Sequence, residues 1–138
     1  MMDTRTNEES GMKQPAGEHV TLVEVLRLIR PFEEFEAAVG AAARRLEAEG
    51  IQELVRFQFY AHPGSSEVGA ILTFTDRERM IEHLGMITRW EEFERFFGTL
   101  EPVDIRVYGK PSAEAEAWMR QFDVVSKTFE EHVAGFVR

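Results

Sequence analysis

From His19 to Ile29 apolar side chains occupy both alternating phases of the chain, with Val20, Leu22, Leu26 and Leu28 on one and Val23, Val25 and Ile29 on the other. Such a pattern predicts a strand covered on both faces. Glu24 and Arg27 interrupt opposite phases, and each needs a partner or water to sit there. From Pro31 the period changes: Phe32, Phe35, Val39, Ala42 and Leu46 recur at steps of three and four residues. Proline in the first turn, acidic residues near the start and Gly50 as the stop complete the signature of an amphipathic helix.

Strict alternation returns in residues 53–62, where Val55, Phe57 and Phe59 face one side and Arg56, Gln58, Tyr60 and His62 the other. The turn residues Pro63-Gly64-Ser65-Ser66 lead into a second apolar run from Val68 to Thr75, which predicts a hairpin. Thr75-x-x-Glu78 and Thr88-x-x-Glu91 are capping-box patterns, the first opening a helix to about Leu84, the second one with Trp90, Phe93, Phe97 and Leu100 on a stripe. After Pro102, Val103, Ile105 and Val107 alternate with Asp104, Arg106 and Tyr108 as a fourth strand.

The order β-α-β-β-α-β predicts an α+β, ferredoxin-like domain over residues 19–111, a four-stranded antiparallel sheet with helices on one face. Residues 1–18 carry no periodic apolar pattern and read as a disordered tail. Residues 112–138 read as a helical extension, with Ser112 as N-cap and Trp118, Phe122, Val125, Phe129 and Val133 on a wide apolar stripe. That stripe and the uncovered sheet face both need a cover, which a homodimer of facing sheets supplies. A monomer whose last helix crosses its own sheet is the alternative.

Composition narrows the function classes. The chain has 138 residues with 16 Lys+Arg against 25 Asp+Glu, a formal charge of −9, and no cysteine. One domain is expected, with a core large enough to need no staples. Cysteine-based metal sites, disulfides and thiol nucleophiles are excluded, and the acidic balance argues against nucleic-acid or anionic-membrane surfaces. No apolar run approaches the roughly 20 residues of a spanning helix, and no secretory signal is present, so a cytoplasmic protein is expected. The four histidines show no spacing that gathers a metal site, so no metal is expected. Nucleotide-binding and serine-hydrolase motifs are missing as well.

The element order, the stretch from Ile71 to Leu84 containing His83, the aromatic segment Trp90-x-x-Phe93 and the closing Val107-Tyr-Gly-Lys-Pro-Ser112 resemble the antibiotic-biosynthesis-monooxygenase-like family of the dimeric α+β barrel superfamily. The resemblance implies a homodimeric barrel with one small pocket per subunit between sheet and helices. It implies that no cofactor is expected, with oxidation of phenolic or quinol-like compounds by molecular oxygen without metal or flavin in some members, and haem degradation in others. His83 corresponds to a family histidine in the middle helix. The asparagine on the first strands that is common in the family where oxygen chemistry or haem cleavage is established has no counterpart, since the single asparagine is Asn7.

The residues themselves supply the candidate chemistry. His83, near neutral in its ordinary pKa, is the candidate base that takes a proton from a phenol or hydroquinone. Trp90, Phe93, Met80 and Phe57 are candidates for an apolar substrate wall, and Tyr60, Arg56 and Arg106 for polar groups that bind an oxygenated ring or its anion. Each has a structural alternative: a satisfied helix histidine, core packing, or charge pairs at a subunit contact. Two functions stay open, a cofactor-independent monooxygenase-like enzyme on a small aromatic or quinol-like compound, and a non-catalytic dimeric module of the same fold that binds a small hydrophobic molecule or serves as a structural partner.

Overall fold

The computed structural model describes residues 19–120 and 125–138, so the segment read as a tail, residues 1–18, and Phe122 lie outside the described residues. In chain order the elements are β1 (Val20–Leu28), α1 (Phe32–Glu49), β2 (Leu54–Ala61), β3 (Glu67–Phe74), α2 (Arg77–Ile87), α3 (Glu91–Phe97), β4 (Leu100–Tyr108), α4 (Ala113–Arg120) and β5 (Val125–Phe129). The strands lie in the order β2-β3-β1-β4-β5, antiparallel except for β5, which runs parallel to β4. The architecture is α+β, with five strands in one mixed sheet and four helices among the described residues.

The strand with apolar residues in both phases, β1, is the central one. Its inner phase meets β3 and β4 in register: Leu22 opposite Leu72 and Val107, Glu24 opposite Ala70 and Ile105, Leu26 opposite Val68 and Pro102. The helices cover this inner face. Helix α1 buries Phe35, Ala38, Ala42 and Leu46 with Leu26, Val68 and Phe96, its alanines allowing close approach to the sheet. It ends at Gly50, whose φ of 69° is left-handed and whose N–H closes the last turn. Met80 of α2 and Met119 of α4 pack on Val20, Leu22, Phe74 and Val107.

Three expectations from the sequence are corrected. The sheet has a fifth strand, and within the segment 112–138 read as a helical extension the described helix is α4, Ala113–Arg120. Pairing resumes at Val125–Phe129, where the backbone polar groups of β4 on its free edge find partners. A parallel neighbour requires a crossover, and α4 is that crossover. Phe129 then stacks on Tyr108 across the pair, with ring centroids 5.2 Å apart and 10° between planes, while Val133 is 91% exposed rather than on a helix stripe.

The helix boundaries also differ. Asp76, not Thr75, caps α2, its carboxylate accepting the N–H groups of Glu78 at 2.9 Å and Arg79 at 3.2 Å. A charged acceptor at a helix N-terminus outcompetes a neighbouring hydroxyl. The helix passes through Gly85 to Ile87, and the Thr88 hydroxyl donates to the Leu84 carbonyl at 2.8 Å, closing α2 instead of opening α3.

Two register shifts change which side chains point inward. One between Leu54 and Arg56 leaves Val55 58% exposed; another between Val25 and Leu26 does the same for Val103, 49% exposed. Strand β4 starts at Leu100, so Pro102 lies inside it, at a shift where its missing N–H is tolerated. The outer sheet face carries Thr21, Val23, Val25, Ile71 and Thr73 half-buried, with Arg56, Tyr60 and Tyr108 more exposed. The carboxy-terminal residues 131–138 border a groove on this face together with Thr21, Arg56, Thr73 and Tyr108.

Candidate functional site

A cavity of about 370 Å³ lies between the inner face of the sheet and helices α2, α3 and α4. Its shape follows from the residues around it. Phe57 and Phe59 of β2 stand edge to face at 4.9 Å, Phe93 approaches Phe57 at 5.9 Å, and Phe96 meets Phe59 at 5.2 Å and nearly perpendicular. Rigid rings in edge contact make a wall that does not collapse as flexible side chains would. Trp118 and Met119 of α4 line the cavity as well.

Among the described residues this apolar lining contains one ionisable side chain, Glu24. It occupies the inner phase at the middle of the central strand, between Leu22 and Leu26 along β1 and between Ala70 and Ile105 across the sheet. Burial pushes its carboxyl up from 4.5 to about 7, because the charged form loses hydration and no cation compensates. Near neutral pH the group is divided between acid and carboxylate.

The residues singled out in the sequence fall into five places. Phe57 and Phe93 line the cavity. Met80 is fully buried in the packing of β1, β3 and α4 and does not line it. Trp90 sits at the start of α3 with its ring 4.2 Å from the Arg45 guanidinium, which also binds Glu49 at 3.0 Å and Glu92 at 2.9 Å. The hydrogen bond to Glu49 is the largest influence holding the Arg45 pKa above its ordinary value.

Arg56, Tyr60 and Arg106 belong to the outer phase of their strands, with the sheet between them and the cavity. Arg106 donates to Asp104 Oδ2 at 3.2 Å, and Tyr60 is exposed. Period-two alternation makes this separation unavoidable once Phe57 and Phe59 point inward.

His83 is 6% exposed and does not line the cavity. Its Nε2 lies 3.0 Å from Glu53 Oε1, close enough for an electrostatic contact but misaligned for a hydrogen bond, and its Nδ1 is buried without a partner among the described residues. Glu53 also accepts from Arg79 Nη1 at 3.1 Å. His83 thus faces Glu53 rather than the cavity, and among the described residues Glu24 is the titratable group that lines it. The sequence signal for Glu24 was its position alone, a carboxylate inside the apolar phase Leu22-x-Glu24-x-Leu26. Among the described residues no cluster of three or more His, Cys, Asp or Glu side chains could hold a metal ion.

This arrangement of sheet, helices and pocket can be compared with known proteins. No protein-family model matches the chain, and no curated protein matches it in sequence. Solved structures do. MupZ from Pseudomonas fluorescens superposes with a TM-score of 0.60 at 17% identity, over 88% of this chain and 95% of that one. SnoaB, a cofactor-independent oxygenase from Streptomyces nogalater, gives 0.52 at 13% identity, over 70% of this chain and 96% of that one. The fold is that of antibiotic-biosynthesis-monooxygenase-like proteins. A proposed antibiotic biosynthesis monooxygenase from Caulobacter crescentus shares it too, with a TM-score of 0.50 at 15% identity over 66% of this chain and 88% of that one. The resemblance read from the sequence holds at the level of fold. The likeness to MupZ extends over more of this chain than the other two.

Proposed function

We propose that the protein is a cofactor-independent monooxygenase-like enzyme that acts on a small aromatic or quinol-like compound bound in the cavity between sheet and helices. The observation that carries this reading is the cavity itself: about 370 Å³, walled by Phe57, Phe59, Phe93 and Phe96 and containing one titratable group. Its size lies within the roughly 300–1,000 Å³ of small-molecule sites. The description of SnoaB as a cofactor-independent oxygenase adds support from a protein of the same fold.

The chemistry asked of the protein is modest. Removing a proton from a phenol or an activated methylene leaves an electron-rich anion that reacts with oxygen directly. In the net reaction a methylene becomes a carbonyl: one oxygen atom enters the substrate, and the other leaves as water with the two displaced hydrogens. An apolar cavity favours a neutral aromatic ring and excludes bulk water from the anion.

A homodimer built through the outer sheet face is part of the proposal. The half-buried Val23, Val25 and Ile71 and the exposed Tyr60, Val103, Tyr108 and Phe129 make a face suited to a second copy. Sedimentation velocity on the full chain tests it, a monomer at micromolar concentration arguing against it. Cytoplasmic location is likewise proposed; no helix among the described residues is long and apolar enough to cross a membrane.

The test of function is oxygen uptake by purified, chelator-treated protein over hydroquinones, anthrones and dihydroxynaphthalenes. Uptake above each compound's own autoxidation is the expected result. The second reading, a non-catalytic binding module of the same fold, is favoured by the engagement of His83 with Glu53 away from the cavity. Saturable ligand binding without oxygen uptake would decide for it.

A further inference from the structure

We infer that Glu24 is the proton-transferring catalytic residue of the cavity, and that the cavity takes neutral, weakly acidic aromatic molecules, phenols or enolisable ketones, in preference to anions. This rests on reading the cavity as a substrate site, and deepens that reading by assigning the base and the charge of the ligand.

Three observations converge on Glu24. Its backbone is held on both sides by the sheet, opposite Ala70 and Ile105, so the carboxyl has a fixed origin at the centre of the inner face. Ala70 offers only a methyl group on that side, which leaves the carboxyl room to reach the cavity it lines. Among the described residues no other charged side chain lines the cavity: α2 contributes Leu84, Ile87 and Thr88, α3 Phe93, Phe96 and Phe97, α4 Trp118 and Met119, and the lining positions of the strands are otherwise Leu, Phe, Ile and Pro. An unpaired carboxylate on the middle of a central strand costs stability and does no packing that leucine would not do better.

The consequence is a base matched to neutral pH. With its pKa pushed up to about 7 by burial, Glu24 is much more basic than an exposed glutamate and is still half ionised at physiological pH. In the proposed step the Glu24 carboxylate takes the proton from the substrate O–H or C–H. That bond's electron pair stays on the substrate as phenolate, enolate or carbanion, the proton ends on a carboxyl oxygen of Glu24, and nothing is oxidised. The same charge repels a ligand that arrives as an anion. Arg56 and Arg106 lie on the opposite sheet face and offer such a ligand no counter-ion in the cavity.

The experiment separates the assignment of Glu24 from the oxygenase reading. Infrared difference spectra of the full chain are recorded from about pH 5 to about pH 9, for wild type and Glu24→Gln. A buried carboxylic acid band is expected to vanish with a midpoint near 7 in the wild type and to be absent from Glu24→Gln. Binding of 1-naphthol and 1-naphthoate, read by protein fluorescence, is compared at about pH 6 and about pH 8. Naphthoate affinity is expected to fall about tenfold over that range in the wild type and to stay level in Glu24→Gln. Where a substrate turns over, Glu24→Gln is expected to lower kcat about a hundredfold or more with KM little changed, removing the acidic limb of the pH profile.

A carboxyl titrating with exposed glutamates, equal pH dependence of naphthoate binding in both proteins, or an unchanged kcat in Glu24→Gln would overturn the assignment. If Glu24→Gln does not fold, the wild-type spectrum and the more conservative Glu24→Asp, expected to keep the band, decide by the same criteria. A Glu24 band near neutral pH with no oxygen uptake from any compound would instead overturn the oxygenase reading and leave Glu24 as the acid–base group of a different reaction.

Discussion

The two faces of one sheet carry the same kinds of side chain and use them in opposite ways. On the outer face Arg106 pairs with Asp104 and Arg27 with Glu101, all within reach of water. Such solvent-exposed pairs contribute little to stability. On the inner face Glu24 stands between aromatic and aliphatic walls with no cation among the cavity-lining residues. The acid is the same functional group in both places. What differs is the medium, and the medium turns an inert carboxylate into one that titrates near 7.

The contrast is most sharply tested by placing a charge on each face at neighbouring positions of β4. Val107 is fully buried on the inner side, and Val107→Asp is expected to cost more than about 4 kcal/mol in urea unfolding, enough to unfold the chain. Arg106→Asp, one residue away on the outer side, is expected to stay within about 1 kcal/mol of the wild type. Equal losses would mean that the outer face is as dry as the inner one, as a tight sheet-to-sheet dimer would make it.

Next in size is the pH dependence. Because the folded state holds the Glu24 proton up to about 7 and the unfolded state releases it near 4.5, stability falls as pH rises through that window and levels off above it. The loss from this one group is about 3 kcal/mol. Glu24→Gln is expected to remove that slope and to exceed the wild type in stability at pH values above about 7. A variant with the wild-type slope would place the titrating group elsewhere.

Smaller effects come from groups outside the cavity. His83→Ala is expected to lower stability by about 1–3 kcal/mol, since it leaves Glu53 facing a void at the end of α2, and to leave turnover in place. Turnover abolished at unchanged stability would return the role of base to His83. On the added strand, Phe129→Ser removes the ring stacked on Tyr108 and is expected to cost about 1 kcal/mol, with amide exchange in β5 rising first. The least effect is expected of Arg56→Ala on turnover, within about twofold, because the sheet stands between it and the cavity.

Much of this architecture was legible along the chain. The apolar runs of β1 and β3, the inward Phe57 and Phe59 of β2 and the stop of α1 at Gly50 return in the fold, and so does the packing around Phe93; the α1 stripe returns at Phe35, Ala42 and Leu46, while Phe32 is exposed. The errors share a cause. Val55 and Val103 point outward because a bulge shifts the phase of a strand against its neighbour, and a phase shift is a property of the pair. The segment Val125–Phe129 satisfies both a helical spacing and a strand spacing, and the open edge of β4 chose between them.

The candidate site was less legible than the fold. Of the four candidates for an apolar wall, Phe57 and Phe93 line the cavity and Met80 and Trp90 do not. His83, Arg56 and Arg106 were chosen for their chemistry, and chemistry alone does not say which way a side chain faces. By itself the sequence determined which residues want burial and in what rhythm, because hydrophobicity and backbone preference are local. Only the tertiary structure decided that Glu24 is the charge left facing an apolar cavity, because the absence of a partner is a property of everything packed around it.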